Sequence, residues 1–270
     1  MNTGIIQKST SQIKEKESSR TSMQDLIRKM EPEIKKALPS VITPERFTRM
    51  VLSAISITPK LADCTPMSFL GAMMQAAQLG VEPNTPLGQA YLIPYNNKNT
   101  LECQFQLGYK GLVDLAYRSG EVEIVQAKTV YTNDFFECEF GLEPKLKHIP
   151  AENDRGEPVK FYAVFKTKAG GYGFDVMSVS DVREHAQKYS KSYNSNYSPW
   201  TTSFEEMAKK TVLKRVLKYA PLKSDFVRAV SADETIKTEL SDDMYSVPSV
   251  EIITDVDETE ISNIEGEKNE

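Results

Sequence analysis

Five cations crowd into one short stretch of this chain: Lys209, Lys210, Lys214, Arg215 and Lys218, within the run SPWTTSFEEMAKKTVLKRVLKYAPL from Ser198 to Leu222. Ammonium and guanidinium groups do one kind of chemistry without a base or a metal: they neutralise phosphate or carboxylate. Lys210, Lys214 and Lys218 recur at i, i+4 and i+8, the spacing of one helix face. Like charges so placed repel by about 0.2–0.5 kcal/mol per pair. A helix shaped by stability alone would interleave acids there, so a bound polyanion is the natural cause. A solvated helix face is the alternative left open.

Two further segments carry related chemistry. In QFQLGYKG, Gln104 to Gly111, a strand gives way to a helix near Lys110. A helix start flanked by glycines offers backbone N–H groups to a phosphate. Lys110 adds charge there, and Tyr109 can stack on a base. An ordinary turn is the competing reading. In KYSKSYNSNYSPW, Lys188 to Trp200, Tyr189, Tyr193, Tyr197 and Trp200 alternate with Lys188 and Lys191 among Ser and Asn. Aromatics between cations suit a single strand, each stacked base contributing about 1–3 kcal/mol. Alternatively, Trp200 and Tyr197 anchor the loop to the core.

Other chemistries lack their residues. There is no GxxxxGK[ST] phosphate loop, no GxGxxG, no HExxH and no GxSxG. Cys64, Cys103 and Cys138 are odd in number and widely spaced, and His148 and His185 stand alone, so neither a zinc site nor a disulfide framework is expected. Asp114, Asp134, Glu137 and Asp175 are the carboxylates a magnesium-dependent nuclease would need, but their spacing carries no metal pattern. The N-terminus has no apolar signal region and no stretch is long and apolar enough to span a bilayer, which with free thiols predicts a cytoplasmic protein.

Charge divides the chain. Asp233 to Glu270 holds 2 basic and 13 acidic residues, a net −11, whereas Met1 to Ala232 holds 31 basic and 25 acidic, a net +6. A basic body with an acidic tail suits a binder of nucleic acid, with the tail competing with DNA, recruiting a partner, or only solubilising.

The elements that must position these residues follow from pattern. Helices are expected over Met23–Leu38, from Thr43-Pro44 to Ile57, and from Thr65-Pro66 to Leu79, the last ended by Gly80. A hairpin is expected from Gln89–Tyr95 and Leu101–Leu107 around Asn96–Asn99. A helix over Tyr109–Arg118 and strands over Val122–Tyr131 and Phe135–Phe140 follow. A second hairpin pairs Val159–Lys168 with Tyr172–Met177. Ser180 is the expected cap of a helix through Tyr189. In the basic helix Ser203 and Glu206 form the pattern of a capping box. Phe204, Met207, Ala208, Thr211, Val212, Val216 and Tyr219 are its expected buried stripe, and Pro221 ends it.

Strands and helices mix without βαβ alternation, which predicts an α+β fold: a compact antiparallel sheet and hairpins packed with helices, including the long basic C-terminal helix. Three regions are expected: a mobile N-terminal segment 1–22, a binding and oligomerisation domain 23–232, and a disordered acidic tail 233–270.

PNTPLGQAYLIPY (Pro83–Tyr95), QFQLGYKGLVDLAYRSG (Gln104–Gly120) and the Ser198–Leu222 run resemble, in order and spacing, the RecT family of phage-type single-strand annealing recombinases, especially those of phages and prophages of Gram-positive bacteria. The resemblance covers about Ser40 to Ala232. It implies a non-catalytic, ATP-independent protein that coats single-stranded DNA as a ring-like or helical homo-oligomer and pairs complementary strands. It implies no required cofactor, with Mg2+ at most a counter-ion to DNA. Implied partners are a 5′→3′ exonuclease and the host single-strand-binding protein. By position it assigns Lys110, Lys209, Lys210, Lys214, Arg215 and Lys218 to phosphates, and Tyr109 and Trp200 to bases or sugars; Lys191, from the aromatic loop, is a further candidate for nucleic-acid binding. Some of these cations must instead pair with acids of the same or a neighbouring protomer. Competing functions are a passive single-strand coat, a metal-dependent nuclease, and a scaffold whose basic helix docks an acidic partner.

Overall fold

The computed structural model describes residues 23–249, apart from 98, 191–192, 195–197 and 222–223. The expected N-terminal segment 1–22 and Lys191 lie outside the described residues.

An N-terminal helical layer comprises α1 (residues 23–29), α2 (Glu31–Ala37), α3 (Pro44–Ile57), a 3-10 turn (Pro59–Asp63) and α4 (Pro66–Leu79). The single helix expected over Met23–Leu38 is interrupted at Met30. Pro32 explains the break: proline cannot donate inside a helix but fits its first turn, where it opens α2. Thr43 caps α3 by accepting from Arg46 N–H, and Gly80 closes α4 in the left-handed region at φ 58°. Almost all of α4 is buried, Ser68 and Gln75 included. Ser68 Oγ accepts from Cys103 N–H at 2.9 Å and so ties α4 to the first hairpin.

That hairpin joins β1 (Ala90–Asn97) and β2 (Thr100–Leu107), antiparallel out to Asn97 opposite Thr100. It leads through α5 (Tyr109–Arg118) into a three-stranded antiparallel sheet of order β3-β6-β7: β3 (Val122–Tyr131), β6 (Pro158–Thr167), β7 (Tyr172–Ser178). Between β3 and β6 runs a separate hairpin, β4 (Phe135–Glu139) and β5 (Lys145–Ile149). β5 escapes sequence reading because its alternation in Lys-Leu-Lys-His-Ile is short and half charged.

The mixed α+β class is as expected. One sheet face meets α8 (Phe204–Leu217), with Phe161 5.9 Å ring to ring from Phe204. The other face is covered by the β4–β5 hairpin, Phe136 standing 5.7 Å from Tyr162 and Phe140 5.2 Å from Phe174. α6 (Val179–Tyr189) packs on β6 and β7. Its cap is Ser178 rather than Ser180, because Ser178 and Asp181 form a reciprocal capping box. α7 (Pro199–Thr202) is one turn, and α9 (Ser224–Ala232) follows α8.

The acidic segment departs most from expectation. Beyond Ala232 the chain continues against the body: Phe105 N–H donates to Thr235 O at 3.1 Å, and Glu234 N–H to Phe105 O at 2.9 Å. Gln78 binds Asp242 O at 2.7 Å, and Ile236, Met244 and Val247 are buried. The boundary at 232 is therefore corrected to lie past Val247. Sparse apolar residues and a run of acids read as solvent-facing, but this strap is held by backbone bonds to the β2 edge, which leave no periodicity. Residues 250–270 lie outside the described residues.

Candidate nucleic-acid interface

α8 lies between the sheet and α5, so most of its circumference is covered. This turns the expected line of three lysines inward at one end. Lys210 is 6% exposed and its ammonium lies 3.1 Å from Asp233 and 3.2 Å from Glu234. Lys214 is partly covered and 2.6 Å from Asp233, while Lys218 is exposed at the C-terminal end. Asp233 also accepts Leu107 N–H at 2.7 Å, so one carboxylate with no exposed side-chain surface joins α8 to β2. Burial pushes the Asp233 pKa up, but Lys210 and Lys214 outweigh it and hold it below the usual carboxylate range. Burial opposes the Lys210 charge in turn, and Asp233 and Glu234 overcome that too. The repulsion expected along the helix is thus answered by acids from the strap. Lys210 is not presented to a ligand.

Of the other α8 cations, Arg215 faces outward and Lys209 is partly covered. Lys209 lies 3.0 Å from Glu206, one turn away, and Arg215 2.6 Å from Asp175 on β7. Ser203 precedes α8 in a conformation whose side chain makes no cap bond, so the expected capping box is absent. Glu205 instead accepts from Thr129 at 2.9 Å and Tyr131 at 3.1 Å, pinning the start of α8 to β3. Tyr219, expected in the buried stripe, is 84% exposed, because it lies past the last turn.

Tyr109 and Lys110 open α5, half-buried and exposed respectively. Burial, followed by the nearby Glu206, raises the Tyr109 pKa and keeps the phenol neutral; Lys209 and Tyr91 are close enough to be felt as well. Tyr91 and Lys110 both border Gly88, and Tyr109 and Lys209 lie nearby with Glu206 among them. The flanking glycines answer to packing. A Cβ at Gly108 would collide with Gly88 O, and one at Gly111 with Gln89 O. The close crossing of the 88–89 backbone, with Gly108 N–H donating to Gln89 O at 2.8 Å, requires both.

Trp200 belongs to the core. It is 9% exposed and 6.1 Å ring to ring from Phe204, which corrects its expected stacking role in favour of the anchor reading. α6 supplies groups the sequence did not single out: Arg183 over the Phe204 ring at 5.8 Å, and His185 4.7 Å from Tyr189.

Three of the four carboxylates are individually engaged, and Glu137 is exposed on β4. Asp134 has no exposed side-chain surface and accepts from Arg155 at 2.6 Å, Tyr131 N–H at 2.9 Å, Ala151 N–H at 2.9 Å and the His148 ring at 3.0 Å. Arg155 foremost, against burial, holds its pKa far below the usual range. Asp114 pairs with Arg118 at 3.0 Å and Asp175 with Arg215. Among the described residues no three His, Cys, Asp or Glu side chains group as a metal site would, and no helix is long and apolar enough to cross a membrane. Cys64, Cys103 and Cys138 are free thiols.

The RecT family model matches residues 45–248. Protein RecT of Escherichia coli (strain K12) is 42% identical over 209 residues, 76% of this chain and 77% of that one. Uncharacterized protein YqaK of Bacillus subtilis (strain 168) is 30% identical over 221 residues, 80% of this chain and 74% of that one. The matched span takes in α5, α8 and nearly all of the strap.

Proposed function

The chain belongs to the RecT family, whose members serve in single-strand annealing recombination, and on that premise we propose that it binds single-stranded DNA along α5 and α8 and pairs complementary strands without nucleotide hydrolysis. The observation that carries the reading is the family match itself, because it spans β1, α5 and α8, the elements that supply the cations and tyrosines assigned to the strand. Lys110, Lys209, Arg215 and Lys218 take phosphates, with Lys214 at the margin. Tyr109 and Tyr91 offer faces to bases. Lys210 holds the strap, and Trp200 holds the start of α8.

Such a surface reads backbone and base faces, not base edges, so it accepts any sequence and leaves the pairing edges outward. Pairing of the second strand then supplies the free energy. The reading extends to a homo-oligomer on DNA, supplied with single strand by a 5′→3′ exonuclease and meeting the host single-strand-binding protein. Mg2+ acts only as a counter-ion to phosphate.

The test is the annealing rate of two labelled complementary oligonucleotides in nucleotide-free buffer, with Mg2+ and with EDTA. Acceleration with both strands intact supports the proposal. Binding without acceleration makes the protein a passive coat, and shortened strands make it a nuclease.

A further inference from the structure

β4 and β5 form a two-stranded hairpin that lies on the three-stranded sheet but joins neither of its edges. Each is therefore an edge strand, with an outer row of backbone N–H and C=O groups. Among the described residues no backbone bond ties residues 135–149 to another segment. Alternation divides the side chains. Phe136, Cys138, Leu146 and His148 are partly covered, with Phe136 5.7 Å and His148 5.5 Å ring to ring from Tyr162 of β6. Phe135, Glu137, Glu139, Lys145, Lys147 and Ile149 are exposed on the outer face.

That outer face is split by charge, both acids on β4 and both lysines on β5. Glu137 lies opposite Lys147, Glu139 opposite Lys145, and Phe135 opposite Ile149. One chain uses these pairs poorly. Lys145 Nζ is 3.9 Å from Glu139, with both side chains more than half exposed. Lys147 Nζ stands instead over the Phe135 ring, 5.5 Å from its centre. Glu137 and Lys147 have no ion pair among the described residues.

We infer that this hairpin is the joint between copies of the chain, the acidic β4 edge of one protomer pairing antiparallel with the basic β5 edge of the next. This rests on the proposed DNA-binding function, to whose homo-oligomer it gives a contact.

Charge selects both the occupant and the polarity of the joint. Repeating the hairpin's own register across it sets Glu137 against Lys147, Glu139 against Lys145 and Phe135 against Ile149 of the next copy. A two-fold contact would set β4 against β4 or β5 against β5, acid on acid or lysine on lysine. Head-to-tail pairing leaves one acidic and one basic edge at the ends, so copies add on or close into a ring. Five residue pairs make a weak joint by themselves. Copies lying side by side on one strand hold the edges at high effective concentration, so the joint shows as cooperative filling of that strand.

The experiment is a fluorescence titration of the full chain with a long oligothymidylate and with one short enough to bind a single copy. Glu137→Lys with Glu139→Lys makes both edges basic, and Lys145→Glu with Lys147→Glu makes both acidic. The unaltered protein should fill the long strand cooperatively, and the Hill coefficient should fall to about 1 in each double variant. An equimolar mixture of the two variants, and the fourfold swap on one chain, should restore it, because acid again meets lysine. The two variants shift net charge in opposite directions, so a loss common to both is not an effect on DNA affinity, which the short strand reports. Cooperativity kept in either variant, not restored by mixture or swap, or absent from the unaltered protein overturns the inference while DNA binding stands. No binding to either strand overturns the proposed function. Sedimentation of the DNA-free chain then decides the joint, and equal mass for the unaltered protein and both variants counts against it. Thermal melts check folding. If a reversed variant unfolds, Glu137→Gln with Glu139→Gln takes its place and should still lower the Hill coefficient.

Discussion

The ammonium of Lys210 stands 3.1 Å from Oδ2 of Asp233, a pair closed off from solvent that joins α8 to the acidic strap. Asp233→Ala would leave buried Lys210 with only the half-exposed Glu234 and would loosen Lys214. Loss of one member of a buried pair costs about 3–5 kcal/mol. Urea unfolding should report a loss of that order. A double change, Lys210→Met with Asp233→Leu, should recover part of it, since the charges left without that partner, Lys214 and Glu234, both reach solvent.

Gly108 and Gly111 answer a different constraint. Alanine at either would drive Cβ into a carbonyl oxygen of residues 88–89. Either substitution should destabilise by about 1–3 kcal/mol, the usual cost of overpacking. Gly171→Ala, whose Cβ meets only Thr167 Oγ1 at 3.2 Å, is the control. Equal melting temperatures for all three would show that the crossing yields.

For the exposed cations, Lys110→Ala with Lys218→Ala should weaken binding to oligothymidylate and to mixed sequences alike. Each lost phosphate contact on a single strand lowers the slope of log affinity against log salt by about 0.7, so the pair should lower it by about 1.4. An unchanged slope would remove both residues from the strand path.

Acid should loosen the fold through Asp134 and Asp233. Arg155 depresses the first and the two lysines the second, each against burial. A carboxylate with a depressed folded-state pKa stabilises above its unfolded value, about 3.9. That stability is lost as pH falls through about 4 toward the folded value. Melting temperature should therefore drop steeply between about pH 5 and 3. Asp134→Asn should flatten the drop, and a curve parallel to the unaltered protein's would contradict its role.

A chain ending at Leu240 should melt below one ending at Ser249. It loses Met244 and Val247, each burial being worth about 1.5–3 kcal/mol. Indistinguishable melts would mean that the strap adds little.

Local pattern revealed most of the elements. Caps and glycines bounded α3, α4 and α5, and alternation bounded β3, β6 and β7, because those signals act within a few residues. What could not be read was tertiary. Lys210 and Lys218 carry the same charge on the same helix face, yet one meets Asp233 and the other water. Only the return of a segment 23 residues downstream decides between them. Trp200 had two plausible environments, and packing against Phe204 selected one.

The strap has a consequence in time. A ribosome delivers about 5–20 residues per second, so Asp233 leaves it about 1–5 s after Lys210. Until then α8 carries its buried ammonium without a counter-charge, and the β2 edge lacks Thr235. The keystone is thus made after the helix it locks. A chain cut short by premature termination forfeits the clamp and presents proteases with an unfinished body, so synthesis itself discriminates against incomplete copies.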